Sequence, residues 1–319
     1  MTVYMTSSLS FDRNQPITAW YARRWFRIAP LYYAAIFIYS VEHIIRAKLG
    51  ASVSPQALQP FNILANIAFV HAFVPGAIND VVPGGWSIGV EMAFYLVAPG
   101  LVILARRNIL TPLILLSAGA MLLGISWLSE SNATAHKSFF YFWPATQFPV
   151  FFIGLIFCSV AKSWLFTEQP APKGWISLAL IALFAGLVAY STVGKISRLF
   201  TPTCFGVAFV GFAILGRGPL RRLTENAFTV WLGRISYSLY IVHFGLLDAW
   251  LLADQKLHFA NHIPAMARLP VVFVFTLCGA STIAVLTKRF VEDPGIRLGA
   301  ILASKITSQQ RSLTANATT

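Results

Sequence analysis

Apolar residues gather along this chain into nine stretches, at about 28–45, 61–79, 86–105, 109–128, 146–161, 175–192, 202–216, 235–253 and 269–287. Most approach the ~20 apolar residues that an α-helix needs to cross a bilayer. The pattern predicts an all-α fold, a polytopic membrane helix bundle. Residues 1–27 are polar and hold Asp12, Arg13, Arg23, Arg24 and Arg27. No apolar core precedes a small-residue cleavage site there, so they are not a secretory signal peptide. They are expected to form a cytoplasmic N-terminal segment, with a membrane domain over 28–290 and a cytoplasmic tail over 291–319. The end of that tail, 304–319, is Ser/Thr/Gln-rich without an apolar face and is expected to be loose.

Composition sharpens the picture. Of the 319 residues 57% are hydrophobic and 11% charged, against about 25% charged in soluble domains. The net charge of +13 would suggest nucleic acid on a soluble protein. Here all 24 Lys and Arg fall outside the apolar stretches, so membrane topology explains them better. The bilayer is the expected partner, and no nucleic acid is. Cys158, Cys204 and Cys278 lie in separate apolar stretches without metal spacing and read as small buried apolar residues.

Basic residues concentrate on the cytoplasmic side of a membrane protein. If all nine stretches span with residue 1 inside, 9 basic residues lie inside and 15 outside. If 61–79 instead enters and leaves on one side, the count becomes 17 inside against 7 outside. That second arrangement has eight spans, one re-entrant segment and both termini in the cytoplasm. The segment 61–79 also carries Asn62, Asn66, His71 and Pro75, which lipid tolerates only where protein or a water-filled cavity surrounds them.

Polar groups inside spans are costly and mark function by default. After Pro83-Gly84-Gly85, Trp86 suits a helix start at the membrane interface. Ser87, Glu91 and Tyr95 then recur every four residues and share one helix face. A carboxylate there needs a cation or hydroxyl partner, or a proton; Glu91 is either a working group or a tie to an arginine. Arg24 and Arg27 lie on one face if their segment is helical, and two guanidiniums forked toward one point suit a phosphate or pyrophosphate. Positive-inside flanks and lipid headgroup contacts look the same. In Leu232–His243, Ser236, Tyr240 and His243 form a polar stripe at i, i+4 and i+7. His243 is an acid/base or an interhelical tie, and Asp248 lies about one turn on. His71 can pass a proton near neutrality or sit as a buried structural histidine. His43, His136, His258 and His262 lie at span ends or in loops, where exposure is expected.

No Gly-x-Ser-x-Gly elbow, His-Glu-x-x-His pair or Walker Gly-Lys-Ser/Thr occurs, so soluble-hydrolase, zinc-protease and ATP-driven transporter readings have no support. Four segments in order resemble the acyltransferase-3 family, the bacterial integral-membrane O-acyltransferases that decorate envelope polysaccharides and related acceptors. They are Arg23–Tyr33 (Arg-Arg-x-x-Arg-Ile-x-Pro-x-Tyr-Tyr), Trp86–Pro99 (Trp-Ser-Ile-x-Val-Glu-x-x-Phe-Tyr-Leu-x-x-Pro), Gly233–His243 (Gly-x-Ile-Ser-Tyr-Ser-Leu-Tyr-x-x-His) and the weaker Phe290-Val291-Glu292-Asp293-Pro294.

The resemblance implies a multi-pass protein of the bacterial inner membrane. It implies transfer of an acyl group, acetyl above all, from a cytoplasmic acyl-CoA co-substrate to a hydroxyl of a saccharide or lipid-linked saccharide acceptor. No permanently bound cofactor or metal is implied. Arg24 and Arg27 would contact the donor's phosphates. Glu91, Tyr95, His243 and His71 would supply the catalytic groups, with Trp86, Ser87, Ser236 and Tyr240 lining the acceptor side. Members of the family begin with further spans bearing an Arg and then a His thought to be catalytic. This chain starts at what resembles the end of the second span, so no residue here matches that histidine. A late start, a degenerate copy or substitution by His71 or His243 would each account for it. A transporter or flippase of lipid-linked sugars is the rival, favoured by an internal inverted repeat that the sequence lacks. A non-catalytic membrane subunit is a third reading.

Overall fold

The computed structural model describes residues 15–106, 137–148, 226–258 and 263–316, with 150–151, 179, 181–184, 204–206 and 208. The apolar stretch 109–128 and most of 146–161, 175–192 and 202–216 lie outside the described residues, as does His136. Every regular element among the described residues is helical. They are α1 (Ile17–Lys48), α2 (Pro60–Ile67), a 3-10 turn (His71–Phe73), α3 (Gly85–Arg106), α4 (Lys137–Phe142), α5 (Ala227–Leu257), α6 (Ala265–Thr287), a π-helical turn (Lys288–Glu292) and α7 (Asp293–Asn316). Among the described residues three helical segments are long and apolar enough to cross a membrane: Ile17–Lys48, Ala227–Asp254 and Met266–Thr314.

The chain divides into two compact units, 10–92 with 233–319, and 1–9 with 93–232. In the second, Phe94 stacks on Phe151 at 4.4 Å and meets Phe148 edge-on at 5.9 Å. The first unit holds most of the predicted site.

Its axis is α1, which begins behind Pro16, where the Pro16 carbonyl accepts from Ala19 and Trp20 N–H at 3.0 and 3.2 Å. Eleven residues of the polar segment before 28 are thus already helical. The helix closes at Gly50, φ +75°, with Ala51 N–H bonded to Arg46 O and Gly50 N–H to Ala47 O. A left-handed residue at this position satisfies the last carbonyls at no steric cost when it is glycine.

Helix α5 runs parallel to α1. The Tyr237 hydroxyl donates to Ile28 O at 2.9 Å, Tyr39 pairs with Ile241, and Arg46 meets Asp248 at 2.9 Å. Residue numbers rise together along both helices. Stretches 28–45 and 235–253 therefore run in the same direction.

Helix α7 packs on the first half of α1 in the opposite direction. An added Cβ on Gly295 would stand 2.7 Å from Phe26 O, and one on Gly299 would stand 2.7 Å from Phe26 Cβ and 3.3 Å from Ala22 O. Gly295, Gly299 and the buried Ala303 recur every four residues, a small-residue face that lets two backbones approach. Pro30 has no N–H, so the Phe26 carbonyl lacks its usual helical donor, and the bare Gly295 seats against that carbonyl. The expectation of a loose tail from 304 fails here: residues 304–316 continue α7, because the packing face lies N-terminal to the Ser/Thr/Gln-rich part and carries it along. Cys278 is exposed rather than buried, on a helix with much of its apolar surface outward.

Residues 51–84 do not form a membrane-length helix. The eight residues of α2 rise only about 12 Å. The Tyr33 hydroxyl bonds Ile67 O at 3.0 Å, and Phe69 packs on Trp25 at 5.1 Å and on Tyr32 at 5.2 Å, so the chain has come back to the first half of α1. It then climbs until Val81 O meets His43 Nε2 at 3.3 Å. Asparagines staple this excursion. Asn62 Nδ2 donates to Gln56 O and Gly76 O at 2.8 and 2.9 Å, and Asn66 Nδ2 to Asn62 O and Ala77 O at 2.9 and 3.1 Å. The residues that spoiled 61–79 as a lipid-facing span thus satisfy backbone carbonyls that lipid would leave bare.

Candidate functional site

The site forms where the returning chain turns into α3. Gly84 has φ +76°, and a Cβ there would lie 2.4 Å from the Phe244 ring and 3.1 Å from the Tyr240 hydroxyl. Both conformation and space demand glycine. Asn79 Oδ1 fixes the turn by accepting from Gly84 N–H at 2.8 Å. Around the two glycines the polar side chains fall into two groups.

On one side lies His71, 0% exposed. Its Nε2 stands 3.0 Å from Gly85 O and 3.1 Å from the Tyr32 hydroxyl, and its ring stacks on Tyr32 at 5.5 Å. A carbonyl only accepts, so Nε2 carries the proton. The Tyr32 hydroxyl donates to Asn66 Oδ1 at 2.6 Å. The Ala65 carbonyl also bears on the ring, but Nδ1 makes no well-formed hydrogen bond. Gly89 closes the lid, since a Cβ there would stand 2.7 Å from His71 Nε2. Every approach to this histidine is filled by packed protein.

On the other side lies the polar stripe of α5. The Tyr240 hydroxyl donates to Gly84 O and accepts from Ser87 Oγ, both at 2.8 Å. His243 Nδ1 donates to Tyr240 O at 2.7 Å, which leaves Nε2 with the lone pair. Its ring is half-buried and rests on Phe244 at 4.0 Å. That tautomer, with Nδ1–H held by an oxygen and Nε2 bare, is the one a general base needs. One further bond pins the same helix. Ser238 donates to the buried Glu292 carboxylate at 2.6 Å, and that carboxylate lies 3.7 Å from Lys288.

The predicted residues separate accordingly. Ser87 and Tyr240 come together at Gly84, with His243 one turn on from Tyr240 along α5; His71 joins Tyr32 and Asn66 behind Gly85. Trp86 and Glu91 are half-buried beside them, and Tyr95 is buried in the other compact unit. Ser236 does not join: it is exposed and bonds only to Gly233 O of its own helix. Arg24 and Arg27 share a helix but not an environment. Arg24 is 7% exposed and lies over the Trp20 ring at 5.5 Å, whereas Arg27 is exposed. His43, expected to be exposed, is buried against Val81 and lies 3.7 Å from Glu42. It belongs to a polar cluster that the sequence did not reveal, in which Arg46 bridges Glu42 at 3.2 Å and Asp248 at 2.9 Å. The weak closing segment conceals the buried Glu292, whose pairing with Ser238 spans 54 residues and leaves no local signature. Among the described residues no group of His, Cys, Asp and Glu could hold a metal.

A family model described as an acyltransferase domain matches residues 3–285 of the 319. No curated protein and no solved structure matches the chain.

Proposed function

The chain belongs to the acyltransferase-3 family described by that domain, and from this membership we propose that it moves an acetyl group from acetyl-CoA to a hydroxyl of an envelope saccharide, with His243 as the base. The observation that carries the reading is the His243 tautomer, set by Tyr240 O one turn from the Tyr240 hydroxyl that bonds Gly84 O. Nε2 takes the acceptor hydroxyl's proton, the acceptor oxygen attacks the thioester carbonyl, and the CoA thiolate leaves. The Tyr240 and Ser87 hydroxyls, paired at Gly84 O, orient the acceptor or stabilise developing charge. His71 is assigned a framing role, because its ring is enclosed and its Nε2 proton is committed to Gly85 O. Glu91 continues the polar face of α3 from Ser87.

Arg27 and the edge of Arg24 receive the donor phosphates on the cytoplasmic side, the side that the basic count assigns to both termini. The antiparallel pairing of α7 with the first half of α1 supports one side for both ends. On this reading the protein is a multi-pass enzyme of the inner membrane.

The test is label transferred from [14C]acetyl-CoA into the envelope glycan fraction of membranes bearing the protein. His243→Gln should lower turnover by about a hundredfold or more, while His71→Gln should lower thermal stability first. Full turnover in His243→Gln would move the base elsewhere, with Glu91 next in line.

A further inference from the structure

We infer that Tyr39, in the middle of α1, is a positioning residue that sets His243 by wedging its hydroxyl into the backbone of α5. The inference rests on the reading of His243 as the base. Tyr39 is 4% exposed. Its hydroxyl donates to Ile241 O at 2.7 Å and accepts from Gly245 N–H at 2.9 Å. Those two groups are the acceptor and donor of one ordinary i→i−4 bond, and His243 sits midway between them. One tyrosine oxygen therefore stands in a rung of the helix at the turn that carries the base.

A side chain inserted into the i→i−4 ladder bends a helix locally. Here the insertion is built for. A Cβ on residue 245 would stand 3.3 Å from the Tyr39 hydroxyl and 3.5 Å from Cε1, so Gly245 leaves room for the ring. At the neighbouring rung His243 Nδ1 bonds Tyr240 O from the side at 2.7 Å. The two side chains thus divide the carbonyls of one turn. The Arg46–Asp248 pair, 2.9 Å long, holds α1 and α5 in register one turn further on. Tyr39 touches none of the reacting atoms; it acts through the backbone that aims Nε2.

The experiment is a double-mutant cycle with Tyr39→Phe and His243→Gln, read as turnover of [14C]acetyl-CoA into glycan per folded molecule. Phenylalanine keeps the ring and removes only the wedge. Tyr39→Phe should lower kcat about tenfold, leave KM for acetyl-CoA unchanged and shift the thermal midpoint little. In the His243→Gln background the same change should have no further effect, since residues acting through one another are non-additive. An equal tenfold loss in both backgrounds, or unchanged kcat with His243 present, would overturn the inference. A loss explained wholly by a lower folded fraction would overturn it as well. If His243→Gln leaves too little turnover to compare, the rate of carbethoxylation at His243 Nε2 by diethyl pyrocarbonate decides. A change of threefold or more in Tyr39→Phe supports the wedge, and an equal rate refutes it. Full turnover in His243→Gln with a tenfold loss in Tyr39→Phe would instead remove the base assignment, and with it this role for Tyr39.

Discussion

Replacing Gly89 by alanine sets two effects of opposite sign against each other on one helix. Alanine is favoured over glycine in a helix interior by about 1 kcal/mol, so local propensity predicts a gain. Across the interface the new methyl would stand 2.7 Å from His71 Nε2 and 2.8 Å from Ala72 Cβ. Neither neighbour can retreat, since both are fully buried and His71 is held by Gly85 O and the Tyr32 hydroxyl. Overpacking a filled core costs about 1–3 kcal/mol, and moving the ring off its partners leaves a buried polar group unsatisfied for about 1–3 kcal/mol more. The clash wins, with a net loss of about 1–5 kcal/mol after the propensity gain is subtracted. Gly100→Ala on the same helix is the control, because a Cβ there meets nothing within 4 Å. The assay is the apparent midpoint of thermal unfolding in one detergent, used as a ranking because membrane proteins unfold irreversibly. Gly89→Ala should fall below wild type and Gly100→Ala should match or exceed it. Equal midpoints for the two variants would refute the packing of α3 on His71.

The arginine pair should divide as its burial does. Arg27→Ala should weaken acetyl-CoA binding about ten- to a hundredfold, the equivalent of roughly 1.5–3 kcal/mol for a charge-assisted phosphate contact, at unchanged thermal stability. Arg24→Ala should weaken binding and stability together, and Arg221→Ala should leave binding alone; equal responses to all three in equilibrium binding would mark a topology signal instead of a site. For the topology, reporter fusions after Gly50 and after Asp80 should both report the periplasmic side, and opposite signals would remove the re-entrant segment.

Membrane residence, helical class and the four family segments were legible in the sequence for direct reasons. Apolar runs of bilayer length have few other uses, and Lys and Arg avoid hydrocarbon. The 17-to-7 distribution of basic residues already implied that stretches 28–45 and 235–253 run the same way, the direction that α1 and α5 take. Gly84 could be read as a turn because few residues besides glycine accept a positive φ. Phe69 could not: it takes φ +58° in the same helix-ending motif as Gly50, where a bulky residue costs about 1–2 kcal/mol. Its place follows from the rings of Trp25, Tyr32 and Tyr33 around it, which no local pattern announces. Periodicity grouped Ser236, Tyr240 and His243 on one stripe, yet of the three it is Tyr240 that bonds the glycine turn. Nor could spacing rank His71 against His243, since the difference lies in which nitrogen a carbonyl holds and whether packed protein encloses the ring. The Tyr39 wedge joins groups 202 residues apart. A helix pattern states which face a residue occupies; what stands across from that face is decided when distant parts of the chain pack, and the chemistry of this site depends on those partners.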